Sequence, residues 1–215
     1  NSGIKEINGN IVADDLLYDR IPIPDNWSWI DLGNYYAASA SALTIHNNLY
    51  FLYFNPSDKV GDFAKVLRTE PQIENLEFTN YMKTGKRGSG DNGYIFNAPL
   101  QFNATLRGTI PQGKEEFSIK GSIPNPPLFA AQYLKTSLEA NKISVLGEAS
   151  VLKSKVKYDV NKTITKTISP KLEDIVFIIN KKSDNLYTEI LLRAVGLNEK
   201  GEGSVEKGIE AVEDF

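Results

Sequence analysis

The hydrophobic pattern divides this chain into a region with the periodicity of strands and a region with the periodicity of helices. Residues 1–165 hold short apolar runs separated by clusters of Gly, Asn and Pro, which is typical of strands joined by turns. The longest run, residues 49–54, is aromatic and apolar throughout and predicts a buried strand. Further strands are predicted at residues 7–12, 76–81, 93–96, 104–106, 116–121, 143–146, 156–160 and 163–168.

One helix is predicted inside the strand-rich region, at residues 126–140. Asn125 is a favourable N-cap, and Pro126 and Pro127 occupy the first turn, where proline costs least. Four apolar residues then recur at helical spacing and predict a buried face, namely Leu128, Ala131, Leu134 and Leu138.

From residue 169 onward the pattern is helical. Ser169 and Pro170 are predicted to open a helix whose buried stripe comprises Leu172, Ile175, Val176 and Ile179. A second helix is predicted at residues 184–195, stopped by Gly196, and a third from Ser204 onward. The fold class predicted by the whole pattern is α+β.

Composition excludes several classes of function. A net charge of -3 and a pI near 5.4 argue against nucleic-acid binding, which usually requires a basic surface. No apolar run approaches the roughly 20 residues of a membrane helix. The chain has no cysteine and one histidine, so neither a disulfide nor a metal or cofactor site is predicted. His46 is interpreted as a polar residue at a strand end, and a catalytic Ser–His pair built on it is the alternative.

A Ser-Asp-Asn triplet, Ser183, Asp184 and Asn185, lies between two predicted helices. Penicillin-recognising serine enzymes carry this element together with an S-x-x-K nucleophile motif and a K-T-G strand motif. The structural alternative is a pair of cap-forming residues that begin a helix without any chemistry.

Four segments together resemble the low-molecular-mass class C penicillin-binding proteins, the bacterial serine D-alanyl-D-alanine carboxypeptidases/endopeptidases. In order and spacing they are residues 7–14, 27–37, 125–134 and 180–193 with 203–208. The resemblance covers essentially the full length. It implies β-rich inserted domains in residues 1–165, mostly antiparallel and in two subdomains. It further implies that residues 166–215 are a helical part of the penicillin-binding catalytic domain.

The family's motif order has a consequence for this chain. The nucleophile motif precedes the insertion in this family, and K-T-G follows S-x-N. We therefore expect the chain to begin after the nucleophile and to end before the K-T-G strand. Residues 150–153 and 154–157 match S-x-x-K, but their alternating pattern predicts strand, where a serine and a lysine three apart point to opposite faces. Residues 83–85 match K-T-G but precede the Ser-Asp-Asn triplet, so none of the three is interpreted as catalytic.

The resemblance implies roles for the residues of the triplet. The Ser183 hydroxyl would bridge two lysines and pass a proton toward the leaving D-alanine. The Asn185 amide would hold the acyl-side amide of the substrate and orient the nucleophile's lysine. Asp184 would stabilise the start of the helix. Lys182, with Lys181, would attract an anionic stem peptide or simply be solvated.

The implied function is acyl transfer on peptidoglycan stem peptides, with acylation by β-lactams, in the periplasm or another extracytoplasmic compartment of a bacterium. The isolated chain is expected to be inactive. The alternative is a non-catalytic cell-wall-binding or regulatory module with the same fold. Trp27 and Trp29 are interpreted as packing residues, with stacking on sugar or peptide as the alternative. The C-terminal helices are expected to expose apolar faces at Ile175, Ile179 and Ile190. These faces are predicted to dock on the β-rich region or on another copy of the chain, or the helices are predicted to be partly disordered.

Overall fold

The computed structural model describes residues 3–113 and 116–215. Within these ranges the chain forms the strands β1 (Glu6–Ile7), β2 (Ile11–Ala13), β3 (Leu49–Asn55), β4 (Lys65–Glu70), β5 (Glu77–Asn80), β6 (Lys83–Gly85), β7 (Asn92–Phe96), β8 (Asn103–Pro111), β9 (Phe117–Ser122), β10 (Ser144–Val145) and β11 (Ala149–Val151). The helices are α1 (Pro126–Ala140), α2 (Leu172–Lys182), α3 (Asn185–Lys200) and α4 (Val205–Glu213). The predicted α+β class is confirmed. No helix in the described ranges is both long and apolar enough to cross a membrane.

Backbone contacts divide the chain into two compact units. The first comprises Asn1–Arg20, Ser41–Leu43 and Pro127–Phe215, and the second comprises Ile21–Ala40 and Thr44–Pro126. The first unit therefore contains the helices of residues 166–215 together with strands from both ends of the strand-rich region. The assignment of residues 1–165 to inserted domains and of 166–215 to a catalytic domain stays a prediction.

The second unit holds two sheets. In one, β3 lies between β4 and β9 and pairs antiparallel with both. In the other, β8 pairs parallel with β5 and β6 and antiparallel with β7. The antiparallel ladders are the longer ones, whereas the parallel ladders are short.

The aromatic strand β3 supplies the centre of this unit. Tyr50, Leu52 and Phe54 point to one face and are fully buried, whereas Phe51 on the other face is 42% exposed. The prediction of a strand at residues 49–54 is confirmed. Successive side chains of a strand point to opposite faces of the sheet, so an apolar run cannot bury all of its side chains when only one face of the sheet is covered. In β3 the covered face is the one that carries Tyr50, Leu52 and Phe54. His46 lies directly before β3, as interpreted, in a short 3₁₀ turn.

In the first unit, β1 pairs parallel with β10, and β2 pairs parallel with β11. Helix α1 has the predicted bounds, but its predicted buried face is only partly confirmed. Ala131 is buried as predicted, whereas Leu134 is exposed and Leu128 and Leu138 are half-buried. Phe129 and Ala130, which were not predicted, are buried as well. The buried residues of α1 all lie at positions 126–131, and none of residues 132–140 is buried, so burial follows the position along the helix more than a single face.

The strands predicted at residues 156–160 and 163–168 are wrong. Val160–Lys162 forms a short 3₁₀ turn, and the residues after it have no regular structure up to α2. The side chains are exposed, up to 90% at Ile168. A strand needs a neighbour to hydrogen-bond its backbone, and no described strand pairs with this segment, so alternation alone does not produce one.

Two predicted helix boundaries also need correction. Helix α2 begins at Leu172 rather than Ser169, because Lys171 is still extended, with ψ of 150°. Helix α3 runs through Gly196 to Lys200 and ends at Gly201, which has φ of 77°. By contrast, α4 begins near Ser204 as predicted. Ser204 is its N-cap, and the Ser204 hydroxyl accepts a hydrogen bond from the Lys207 N–H.

The apolar residues of the C-terminal helices are exposed in other places than predicted. Ile175, Ile179 and Ile190 are half-buried, because these positions of α2 and α3 turn toward the rest of the first unit. The exposed apolar residues of α2 and α4 are Leu172, Val176, Phe177, Ile209 and Val212, so the buried stripe predicted for α2 is only partly formed.

Candidate active site

The Ser-Asp-Asn triplet forms the turn between α2 and α3. Ser183 is the C-cap of α2 and has a left-handed backbone, with φ and ψ both 51°. Its N–H donates to the Ile179 carbonyl, and the Asp184 N–H donates to the same oxygen at 3.3 Å. Two N–H groups thus satisfy one carbonyl at the end of α2, and the chain reverses within two residues.

Asp184 is the N-cap of α3. Its carboxylate accepts a hydrogen bond from the Tyr187 N–H at 3.0 Å, and its carbonyl accepts the Thr188 N–H at 3.2 Å. A carboxylate here also interacts favourably with the positive end of the helix dipole. The prediction that Asp184 stabilises the start of the helix is confirmed.

Ser183 and Asn185 flank this cap, and both are exposed. Asn185 is the first residue of α3, and Leu186 directly after it is buried. The turn therefore presents a hydroxyl and a carboxamide two residues apart, while Leu186 and the Asp184 cap attach it to the protein. A hydroxyl can donate and accept a hydrogen bond, and a carboxamide offers two donors and an acceptor. The catalytic roles of Ser183 and Asn185 stay predictions.

The two lysines before the triplet differ in their surroundings. The Lys181 ammonium lies 5.4 Å from the centre of the exposed Phe177 ring, which is the geometry of a cation–π contact. Lys182 is exposed on the last turn of α2, where a cation interacts favourably with the helix dipole. Its predicted part in substrate binding stays a prediction.

Helix α3 is attached to its unit by an arginine that the sequence reasoning did not single out. Arg193 is 1% exposed, and its Nε donates to Asp19 Oδ1 at 3.0 Å. Its Nη1 donates to the Glu189 carboxylate at 2.8 Å and to the Glu189 carbonyl at 3.0 Å. The available signal was the position of Arg193 within an apolar stretch of residues 190–197, since a buried charge requires a partner.

The other motif matches have structural explanations. Ser150 lies in β11, and residues 154–157 lie in neither helix nor strand, so neither S-x-x-K match forms a helical turn. The K-T-G match is β6, in the second unit, whereas the Ser-Asp-Asn triplet is in the first. Thr84 within it is buried, and its hydroxyl accepts the Ser57 N–H at 2.8 Å.

The first unit also contains a cleft of about 380 Å³ beside the turn between α3 and α4. Its lining comes from Asp14, residues 16–17, 155–156 and 201–203, and Leu197. Ser183, Asn185 and Lys182 do not line it. The candidate site is therefore an exposed turn rather than the wall of this cleft.

Trp29 corrects the interpretation of the tryptophans as packing residues. It is 56% exposed, and its ring centre lies 6.2 Å from that of Phe96. The ring of Tyr94, also exposed, is 6.3 Å from Phe96. Trp27 is half-buried. Trp29 therefore packs against Phe96 but keeps more than half of its surface exposed.

Comparison with known families decides what kind of protein this is. The D-Ala-D-Ala carboxypeptidase 3 (S13) family matches over residues 1–215. This chain belongs to that family. The predicted resemblance to the low-molecular-mass class C penicillin-binding proteins is thereby confirmed.

Members of the S13 family with curated names resemble the chain along nearly all of its length. The D-alanyl-D-alanine carboxypeptidase of Actinomadura sp. (strain R39) is 24% identical over 221 residues, which cover 99% of this chain and 40% of that protein. The carboxypeptidase DacB of Haemophilus influenzae is 22% identical over 205 residues, covering 91% of this chain and 40% of DacB. The chain thus spans about two fifths of the length of these relatives.

Two solved structures share the fold. The crystal structure of penicillin binding protein 4 (dacB) from Haemophilus influenzae matches with a TM-score of 0.78 and 21% identity, over 99% of this chain and 46% of that one. The same protein complexed with a β-lactam matches with a TM-score of 0.65 and 18% identity, over 98% and 44% of the two chains. At this identity the likeness supports the α+β fold alone.

Proposed function

We propose that this chain belongs to a bacterial, extracytoplasmic serine D-Ala-D-Ala carboxypeptidase/endopeptidase that acts on peptidoglycan stem peptides. The reaction would pass through an acyl-enzyme, which β-lactams would also form. The observation that carries the proposal is the exposed turn on which Ser183 and Asn185 flank a capping Asp184, within a chain that matches the S13 family from residue 1 to residue 215. The β-lactam complex of the Haemophilus influenzae protein adds support.

Acyl transfer from a stem peptide requires a group that transfers a proton to the leaving amine and a group that holds the peptide in place. In the proposal the Ser183 hydroxyl bridges two lysines: it accepts a proton from a lysine ammonium, which becomes a neutral amine, and donates its own proton to the leaving D-alanine nitrogen. The Asn185 carboxamide hydrogen-bonds the acyl-side amide of the substrate, and exposed Lys182 attracts an anionic stem peptide. Asp184 is given neither task, because its carboxylate accepts the Tyr187 N–H and caps α3. The nucleophilic serine and its lysine would come from motifs that the resemblance places outside these residues.

Variants of the triplet in the full-length protein that contains these residues test the proposal. We expect Ser183→Ala to slow acylation by a fluorescent penicillin by about 10²–10⁴-fold, the range typical of a positioned proton-transfer group. Asn185→Ala should slow it by about 10²-fold, because the substrate is held less accurately. Lys182→Ala should change the rate by only a few-fold. Unchanged acylation in Ser183→Ala would contradict the assignment of Ser183.

The isolated chain offers a complementary test by intact-mass spectrometry after incubation with a penicillin. We expect no adduct, because neither S-x-x-K match forms a helical turn. A stable adduct on Ser150 or Ser154 would place an acylation centre within these residues and overturn the proposal that the chain alone is inactive.

A second candidate function is a non-catalytic cell-wall-binding module, which the exposed rings of Trp29 and Tyr94 on either side of the half-buried Phe96 favour. Exposed aromatic rings close together are suited to stacking on sugars or peptides. Co-sedimentation of the chain with purified peptidoglycan tests this function. Retention that Trp29→Ala abolishes would support it, and no retention of the unmodified chain would reject it.

A further inference from the structure

We infer that Arg193 is a positioning residue for the Ser183–Asn185 turn, and that it acts through its buried ion pair with Asp19. The inference rests on the proposed function, because it names a residue that the proposed site depends on. Arg193 itself lies two helical turns from Asn185 and is not placed at the substrate. Its effect would reach the turn through the axis of α3.

The contacts of Arg193 show why its position is fixed. The side chain is almost completely removed from solvent, so its charge depends on its partners, Asp19 and Glu189. Nε and Nη1 donate in different directions, the first to Asp19 on another segment and the second back to Glu189 on α3. A guanidinium can donate to Asp19 and Glu189 at the same time because its N–H donors form a rigid fork.

Asp19 extends the connection beyond a single pair. Its Oδ1 accepts from Arg193, and its Oδ2 accepts the N–H of Val205, the first residue of α4, at 3.1 Å. Its own N–H donates to the Gly203 carbonyl at 2.8 Å. One carboxylate therefore joins α3, the start of α4 and the segment that follows β2. Asp19 lies far in sequence from both helices, 174 residues from Arg193 and 186 residues from Val205.

The candidate turn has little packing of its own to fix it. Ser183 and Asn185 are exposed, and no side chain of α2 is fully buried. Of the two helices that meet at the turn, α3 is the one with buried residues, and these include Leu186, Arg193 and Gly196. The position of Asn185 thus follows the position of α3 more closely than that of α2.

Helix geometry converts a small movement at Arg193 into a displacement at the turn. Eight residues separate Arg193 from Asn185, which is about 12 Å along a helix. A tilt of about 5° around Arg193 would therefore move Asn185 by about 1 Å. A misplacement of about that size can slow an enzymatic step by about 10²-fold even when it originates far from the chemistry.

The test compares Arg193→Lys and Asp19→Asn with a matched control in the full-length protein that contains these residues. Arg20→Lys is the control, because Arg20 also pairs with an aspartate, Asp15, but is 43% exposed. Stopped-flow reaction with a fluorescent penicillin gives the maximal acylation rate per titrated active site and, separately, the dissociation constant of the first complex. Thermal unfolding is recorded for each variant, and Ser183→Ala is included.

We expect Arg193→Lys and Asp19→Asn to lower the maximal acylation rate by about 10–100-fold, with a change of less than about threefold in the dissociation constant. Arg20→Lys should leave both constants unchanged.

If the two variants lower only the melting temperature or the number of active sites, and the rate per active site is normal, Arg193 is structural and the inference is overturned. If Ser183→Ala also acylates normally, the proposed role of Ser183 fails as well, so the two failures are distinguishable. Because Arg193→Lys keeps the charge and Asp19→Asn keeps the shape, one of the pair remains informative if the other does not fold.

Discussion

Gly196 of α3 and Gly208 of α4 face each other where the two helices pack together. A Cβ atom added to Gly196 would lie 2.7 Å from the Gly208 nitrogen, and one added to Gly208 would lie 2.4 Å from the Leu192 carbonyl oxygen. Both residues are buried. The two glycines therefore allow the backbones of α3 and α4 to approach more closely than any side chain would permit.

The first prediction concerns this helix contact. We expect Gly196→Ala to lower the free energy of unfolding by about 1–3 kcal/mol, because the methyl group must push α4 away, and overpacking outweighs the better helix propensity of alanine. Urea denaturation followed by circular dichroism measures the change. The control is Gly9→Ala in the same unit, since a Cβ there would have no atom within 4 Å. Equal stability of Gly196→Ala and the unmodified chain would contradict the packing argument.

The second prediction separates helix capping from chemistry within the triplet. Asp184→Ala should lower the free energy of unfolding by about 1 kcal/mol, because the Tyr187 N–H loses its acceptor. Asn185→Ala, at an exposed position, should stay within about 0.5 kcal/mol. In acylation assays of the full-length protein the order should reverse, with Asn185→Ala slower than Asp184→Ala. The same order in both assays would argue that the triplet is only a cap.

Local rules were sufficient where the signal and its partner lie close together in the sequence. The caps at Asp184 and Ser204 accept N–H groups three residues ahead, so the cap at Asp184 and the start of α4 near Ser204 were predictable from neighbouring residues alone. Gly196 shows the limit of these rules. A glycine at a helix stop and a glycine at a helix contact look alike in sequence, and only the position of α4 distinguishes them.

Features that depend on distant partners were not predictable from the pattern. Asp19 and Arg193 are 174 residues apart in sequence, so their ion pair could not be inferred from spacing. Residues 156–168 alternate like a strand, yet no described strand pairs with them. The triplet at residues 183–185 was recognisable because it is contiguous, whereas the residue proposed to position it was not.

The third prediction concerns pH and the contact between Tyr158 and Asp14. The Tyr158 hydroxyl donates to Asp14 Oδ2 at 2.5 Å, and this bond, with the Leu16 N–H, holds the pKa of Asp14 below its ordinary 3.8. The same bond raises the pKa of Tyr158 above its ordinary 10.0. The stabilisation is therefore complete between these ordinary values, and it is lost as the pH falls through the lowered pKa of Asp14 or rises through the raised pKa of Tyr158.

Carbon-13 NMR of the Asp14 carboxyl group checks this prediction. We expect Tyr158→Phe to move the midpoint of the Asp14 titration upward, toward the ordinary value. Tyr81→Phe, another exposed tyrosine, should leave the midpoint where it is. A midpoint that does not move in Tyr158→Phe would show that the hydroxyl is not the cause of the lowered pKa.

The last prediction is that Ser183 lowers the free energy of unfolding relative to a glycine at the same position. Its φ of 51° lies in the left-handed region, which costs an L-residue roughly 1–2 kcal/mol and costs glycine almost nothing. We expect Ser183→Gly to raise the free energy of unfolding by up to about 1 kcal/mol and Ser183→Ala not to raise it. Both should lose acylation in the full-length protein.

Lys142 is a matched control, since it is exposed with φ of 63° after α1. Lys142→Gly should stabilise to a similar extent while acylation stays normal. A serine retained where glycine is more stable is expected if its hydroxyl has a function, and a Ser183→Gly variant that is less stable than the unmodified protein would remove this support for the proposal.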